Sequence, residues 1–123
     1  MPYYYRTNVP NILFDTHLKD LKYAELKVLL VIIRQTYGWI NPQTKSYKKW
    51  DWISQSFFVK KTGLSARAVS NAIDLLVRKN LIHVKGYAGK LLLTPQQRRG
   101  EQKLYFSCQL EGASELKHSK AVK

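Results

Sequence analysis

Apolar residues fall into blocks along the chain, and their spacing changes from block to block. Within residues 21–37, LKYAELKVLLVIIRQTY, the positions Leu26, Leu29, Leu30, Ile33 and Tyr37 recur at i, i+3, i+4 and i+7. That is the spacing of one helix face, and the length suits a helix better than a strand. Val28, Val31 and Ile32 fill other faces, so this helix is expected to be buried nearly all round, as the central post of a small core. Gly38 ends it, the usual task of a residue that tolerates a left-handed backbone. Before it, Pro10 followed by Ile12, Leu13 and Phe14 predicts a short helix. After it, Trp50, Trp52 and Ile53 read as a brief extended segment. Ser54 or Ser56 then caps a second short helix through Lys61, whose apolar members are Phe57, Phe58 and Val59.

A tight corner follows at Thr62-Gly63-Leu64, and Ser65 caps the next helix. On that helix Val69, Ala72, Ile73 and Leu76 form a stripe with Val77 beside it. The opposite face carries Arg67, Asn71, Asp74 and Arg78, with Ser70 on its flank. Lys79-Asn80 closes the helix. Residues 81–84 alternate like a half-buried strand, and residues 104–106 return as another. Between them Gly86, Gly89, Pro95 and Gly100 punctuate a stretch read as a basic loop; whether residues 90–94 add a strand is left open by the pattern. From Glu111 onward apolar periodicity ends. The order of elements predicts a mainly α fold with a small β-wing, a winged helix-turn-helix, over residues 1–110. Residues 111–123 are expected to form a flexible C-terminal tail or truncated linker.

Composition turns this from a scaffold into a candidate binding domain. The 123 residues hold 21 Lys and Arg against 8 Asp and Glu, a formal charge of +13. Residues 1–50 carry +5, residues 51–106 carry +7 and residues 107–123 carry +1, so the excess belongs to the folded body. Such a surplus repels itself and points to a polyanionic partner, nucleic acid ahead of an acidic membrane surface. Catalysis is not expected. The acids are scattered, His17, His83 and His118 lack ligand spacing, and no glycine-rich phosphate loop of the P-loop kind is present. The lone Cys108 excludes an intramolecular disulfide and a cysteine-based zinc site, so no cofactor or metal is expected. No run approaches the length of a membrane span, and residues 1–10 lack the apolar core of a leader; a cytoplasmic protein without membrane contact is the default.

In a helix-turn-helix the second helix enters the major groove with residues near its N-terminus facing base edges. Ser65, Ala66 and Ser70 are small enough for close approach to DNA. Arg67 and Asn71 stand where bidentate contacts to guanine and adenine arise, or grips on phosphate. Arg78 shares their face, and Asp74 is read as its structural i, i+4 partner. Lys60, Lys61, Lys90, Arg98, Arg99 and Lys103 complete the expected DNA-binding set, those of the wing meeting backbone phosphate or the minor groove. The plain alternatives stand beside these: a Gly-x-Ser corner also occurs in simple helical hairpins, and loop cations are often only solvated. Tyr3, Tyr4 and Tyr5 are read as anchoring the N-terminus, with base stacking as the alternative.

The stretches VPNILFD, ELKVLLVIIRQTYGW, DWIS and TGLSARAVSNAIDLLVRKNLI together resemble the N-terminal domain of phage replication protein O and related phage and plasmid replication proteins, over about residues 8–85. The resemblance implies a winged helix that recognises duplex repeats at a replication origin, often as a homodimer. It also implies recruitment of helicase-loading proteins through a separate C-terminal region. In the family pattern a Ser or Thr often stands three positions before the Glu that opens the long helix. Here that position is Lys22, so the capping box with Glu25 is expected to be lost. The chain stops at Lys123, which leaves a fragment of a longer protein or a free-standing DNA-binding protein as expectations. A transcriptional regulator, a DNA-processing accessory factor and a protein-binding winged helix are the alternatives.

Overall fold

The computed structural model describes residues 6–110. The tail expected at 111–123 and the tyrosines at positions 3–5 lie outside these residues. A single turn of π-helix at Leu13–His17 and a 3-10 turn at Leu18–Asp20 lead into α1, Tyr23–Thr36. Two further helices, α2 (Gln55–Thr62) and α3 (Ala66–Arg78), follow across a corner, and a short α4 (Pro95–Arg99) comes later. Strands β1 (Asp51–Trp52), β2 (Ile82–Lys85) and β3 (Tyr105–Cys108) form one antiparallel sheet in the order β1-β3-β2. The fold is mainly helical with a small three-stranded sheet, the arrangement of a winged helix-turn-helix.

The core forms where three helices and one sheet face meet. Val28, Leu29, Ile32 and Ile33 of α1 are buried together with Phe58 of α2 and with Val69, Ile73 and Leu76 of α3. Val84 and Phe106 pair across β2 and β3 and turn the same way, and the Phe106 ring meets Phe58 edge to face at 5.1 Å. Each such side chain contributes about 1.5–3 kcal/mol by leaving water. The sequence expectation for α1 needs correction, because only one side of this helix is covered. Leu30 is 40% exposed, and it shares the outer side with Val31, Lys27 and Arg34.

Two details at the ends of α1 and α3 bear on stability. The lost capping box is half retained: Lys22 has no acceptor to offer, yet Glu25 Oε1 still accepts the Lys22 backbone N–H at 2.9 Å. The same oxygen accepts Lys79 Nζ at 2.8 Å, and Lys79 also donates to the Asp20 carbonyl at 3.0 Å. Glu25 is buried, and its Oε2 finds no hydrogen-bond partner among the described residues. Burial pushes the carboxyl up, but the bonds from Lys79 and the Lys22 N–H, with the charges of both lysines, outweigh it. The net effect holds Glu25 below its ordinary 4.5. A depressed folded-state value contributes stability that is present above the ordinary value and lost as pH falls through the folded one. The urea midpoint is therefore expected to hold down to about pH 5 and to decline below about pH 4, with a smaller decline in Glu25→Gln. Urea titrations across that range measure it.

The stretch between β2 and β3 is more ordered than a loop. Leu91 makes a single bridge to Lys85, and the Leu92 N–H donates to the Val84 carbonyl at 2.8 Å. Residues 90–94 thus add one rung and no strand. The helix α4 replaces part of the expected loop. Thr94 Oγ1 accepts the Gln97 N–H at 3.2 Å, Gln97 Oε1 accepts the Thr94 N–H at 3.2 Å, and Pro95 occupies the first helical position. No helix among the described residues is long and apolar enough to cross a membrane.

Candidate nucleic-acid interface

Local chemistry sets the angle between α2 and α3. Ser54 Oγ caps α2 by accepting the Phe57 N–H at 3.1 Å. Gly63 takes φ of +76°, the left-handed region, where the corner turns. Thr62, buried beside it, donates to the Phe58 carbonyl at 2.6 Å and accepts the Leu64 N–H at 3.1 Å. Ser65 Oγ then accepts the Ala68 N–H at 3.1 Å and starts α3. The corner and both caps therefore fall where the sequence places them.

One positioning residue escapes the sequence reading. Gln55 Nε2 donates to the Ala66 carbonyl at 2.8 Å and to Ser70 Oγ at 3.0 Å, tying the first turn of α2 to the first two turns of α3. An exposed glutamine outside any apolar pattern carries no mark of this role; only the fold brings it to α3.

The apolar side of α3 is sunk in the core, which turns the other side outward. Arg67, Ser70 and Asn71 are exposed on it. Among the described residues Arg67 and Asn71 engage no hydrogen-bond or ion-pair partner, so both remain available to a ligand. The hydroxyls of Ser65 and Ser70 already accept bonds within the protein but each retains a proton to donate. Further along, Asp74 interrupts the basic face, and two guanidinium groups answer it. Arg78 Nε lies 3.0 Å from Oδ2 as expected, and Arg98 Nη2 lies 2.7 Å from Oδ1.

That second contact corrects the expected site. Arg98, expected among the wing cations that meet DNA, has a side chain only 7% exposed, and it also donates to the Leu92 carbonyl at 3.3 Å. It fastens α4 to α3 and lies buried, out of reach of a phosphate outside. Its neighbour Arg99 is exposed, as is Lys90, which stands near the wing turn at Gly86–Gly89 with Tyr87. Tyr87 is 82% exposed, and no pattern in the sequence marks it. Lys103 is exposed with its ammonium 4.8 Å from the centre of the Trp52 ring. Lys60 is exposed at the end of α2, whereas Lys61 turns over the Phe57 ring and lines a groove between α1 and α2. The structure thus gathers Ser65, Ala66, Arg67, Ser70 and Asn71 on one surface, and it separates Arg98 and Lys61 from them.

Residues 5–92 match the family described as bacteriophage replication protein O. No curated protein and no solved structure matches the chain. The family match spans well over half of the sequence and contains α1, α2, α3 and β2. The chain belongs to the phage replication protein O family.

Proposed function

We propose that this family member is a non-catalytic, sequence-specific double-stranded DNA-binding protein of a mobile element, acting at a replication origin in the cytoplasm. The first two turns of α3 enter the major groove, and the wing, through Lys90, Arg99 and Lys103, lies on adjacent phosphates. One observation carries this reading: Arg67 and Asn71 stand one turn apart, exposed and unengaged, on a helix whose other face is locked in the core of a protein of charge +13. An exposed guanidinium and an exposed amide at that spacing suit bidentate recognition of guanine and adenine. Association of two copies on paired half-sites, and contact with other replication proteins, belong to the same reading.

Selection of bound duplexes from a random pool tests it. A recurring motif is expected, and its place at an origin or at a promoter separates replication from transcriptional regulation. Against the selected duplex, Arg67→Ala should cost about 1–3 kcal/mol and relax preference at one base position. An equal loss on every sequence assigns Arg67 to phosphate, and a pool that yields no motif removes sequence specificity from the proposal.

A further inference from the structure

The outer sides of α1 and α2 enclose an open groove of about 710 Å³. Its floor is apolar, formed by Leu30, Trp39 and Phe57, and its rim carries Lys27, Arg34 and Lys61. Leu30 and Trp39 are 40% and 38% exposed. Each rim cation leans on an aromatic ring: Lys27 Nζ lies 4.5 Å from the Tyr23 centroid, Lys61 Nζ 5.6 Å from that of Phe57, and the Arg34 guanidinium 6.0 Å from that of Trp39. Among the described residues none of the three forms an ion pair, although Lys27 Nζ also donates to the Thr62 carbonyl at 2.8 Å, which leaves it two further protons to donate. Gln35, also in the lining, donates to Asp51 at 3.4 Å, but that carboxylate is already held by Lys48 at 3.0 Å. The groove is therefore an apolar floor inside a positive rim that no carboxylate of the described residues neutralises.

It also faces away from α3's exposed side. Helices α1 and α3 turn their buried faces toward each other, so their outward faces lie on opposite sides of the domain. On α2, Phe57 stands about 200° around the axis from Gln55, whose amide touches α3. A ligand on Arg67 and Asn71 leaves the groove open.

We infer that this groove docks an acidic amphipathic segment of another protein, its apolar side chains on Leu30, Trp39 and Phe57 and its carboxylates on Lys27, Arg34 and Lys61. Charge selects this occupant. A second copy would bring another +13 against the same rim. Its exposed apolar turn at Phe14 and Leu18 carries Asp15, but Lys19 stands beside it. A helix laid in a groove by its apolar side is a recurrent recognition mode, and interleaved carboxylates would answer the rim.

The full 123-residue chain can be titrated against three fluorescein-labelled helical peptides of about 18 residues, long enough to hold a helix. The first has a Leu/Phe face and Glu elsewhere; the second keeps the apolar face and replaces Glu by Lys; the third keeps Glu and replaces Leu and Phe by Ala. By anisotropy the first is expected to bind at least about tenfold tighter than either other, a difference of about 1.4 kcal/mol. Leu30→Asp and, separately, Arg34→Glu should each weaken it about tenfold or more while the urea midpoint and duplex binding stay unchanged; where one variant unfolds, the other decides. Equal binding of the second or third peptide overturns the inference, as does indifference to both variants or displacement of the first peptide by saturating duplex. Sedimentation showing self-association that Leu30→Asp abolishes would give the groove to a second copy and overturn it equally. Duplex binding is read separately, so a failed groove leaves the α3 reading standing, and the reverse holds too.

Discussion

Affinity for a mixed-sequence duplex should fall about 1,000-fold between about 50 and about 200 mM salt. Each phosphate neutralised by Lys or Arg releases condensed counterions, and for about six contacts log K falls against log salt with a slope of about −5. The surface has cations for that number: Lys60, Arg67, Arg78, Lys90, Arg99 and Lys103 are all exposed. Arg98 is not counted, since it lies buried against Asp74, whereas Arg78, on the same carboxylate, stays 69% exposed. Anisotropy titrations at four or five salt concentrations yield the slope. No binding at low salt, or affinity that ignores salt, would remove DNA from the account and leave a protein-binding winged helix.

Breaking the Asp74–Arg98 pair should destabilise the domain by about 3–5 kcal/mol, because removing one partner strands a buried charge. Asp74→Ala leaves the Arg98 guanidinium, 7% exposed, without its carboxylate. Arg98→Ala leaves Asp74 with only the largely exposed Arg78 and frees the Leu92 carbonyl. A loss of that size is a large part of the 5–15 kcal/mol typical of a whole domain. Replacing both residues by apolar ones of similar volume should recover most of it, because a well-packed apolar pair avoids the desolvation of two charges. Urea unfolding of the two single variants and the double variant closes the cycle. Single variants within about 0.5 kcal/mol of the parent, the range of ordinary surface changes, would show that the pair is not buried in solution.

Much of this architecture can be read from short-range pattern. The stripe Val69, Ala72, Ile73 and Leu76 predicts the buried side of α3, and Ser54, Gly63 and Ser65 mark the start of α2, the corner and the start of α3, because caps and turns depend on residues three or four apart. Family membership likewise follows from local stretches such as KVLLVIIRQTYGW. Other features depend on contacts distant in sequence. Arg98, flanked by glutamine, arginine and glycine, looks solvated until the fold brings Asp74 to it from 24 positions away. Periodicity shows that α1 has an apolar side at Leu30, but not whether anything covers it. The signal for α4 was present in Thr94-Pro95-Gln96-Gln97, a capping box with proline at the first helical position. It is easily missed where proline and glycine are counted only as loop markers.

The two guanidinium groups on Asp74 have one more consequence, for information rather than stability. They take up the one carboxylate on the outer face of α3, in its third turn, and on the proposed reading base recognition falls to the first two turns, with Arg67 and Asn71. On the proposed reading, so short a surface distinguishes only a few base pairs, at about 1–3 kcal/mol for each mismatch, while a genome offers on the order of 10⁶–10⁹ competing sites. One copy then specifies a word that recurs by chance many times over. A unique address has to be spelled by the number and spacing of such words, with several copies reading them together.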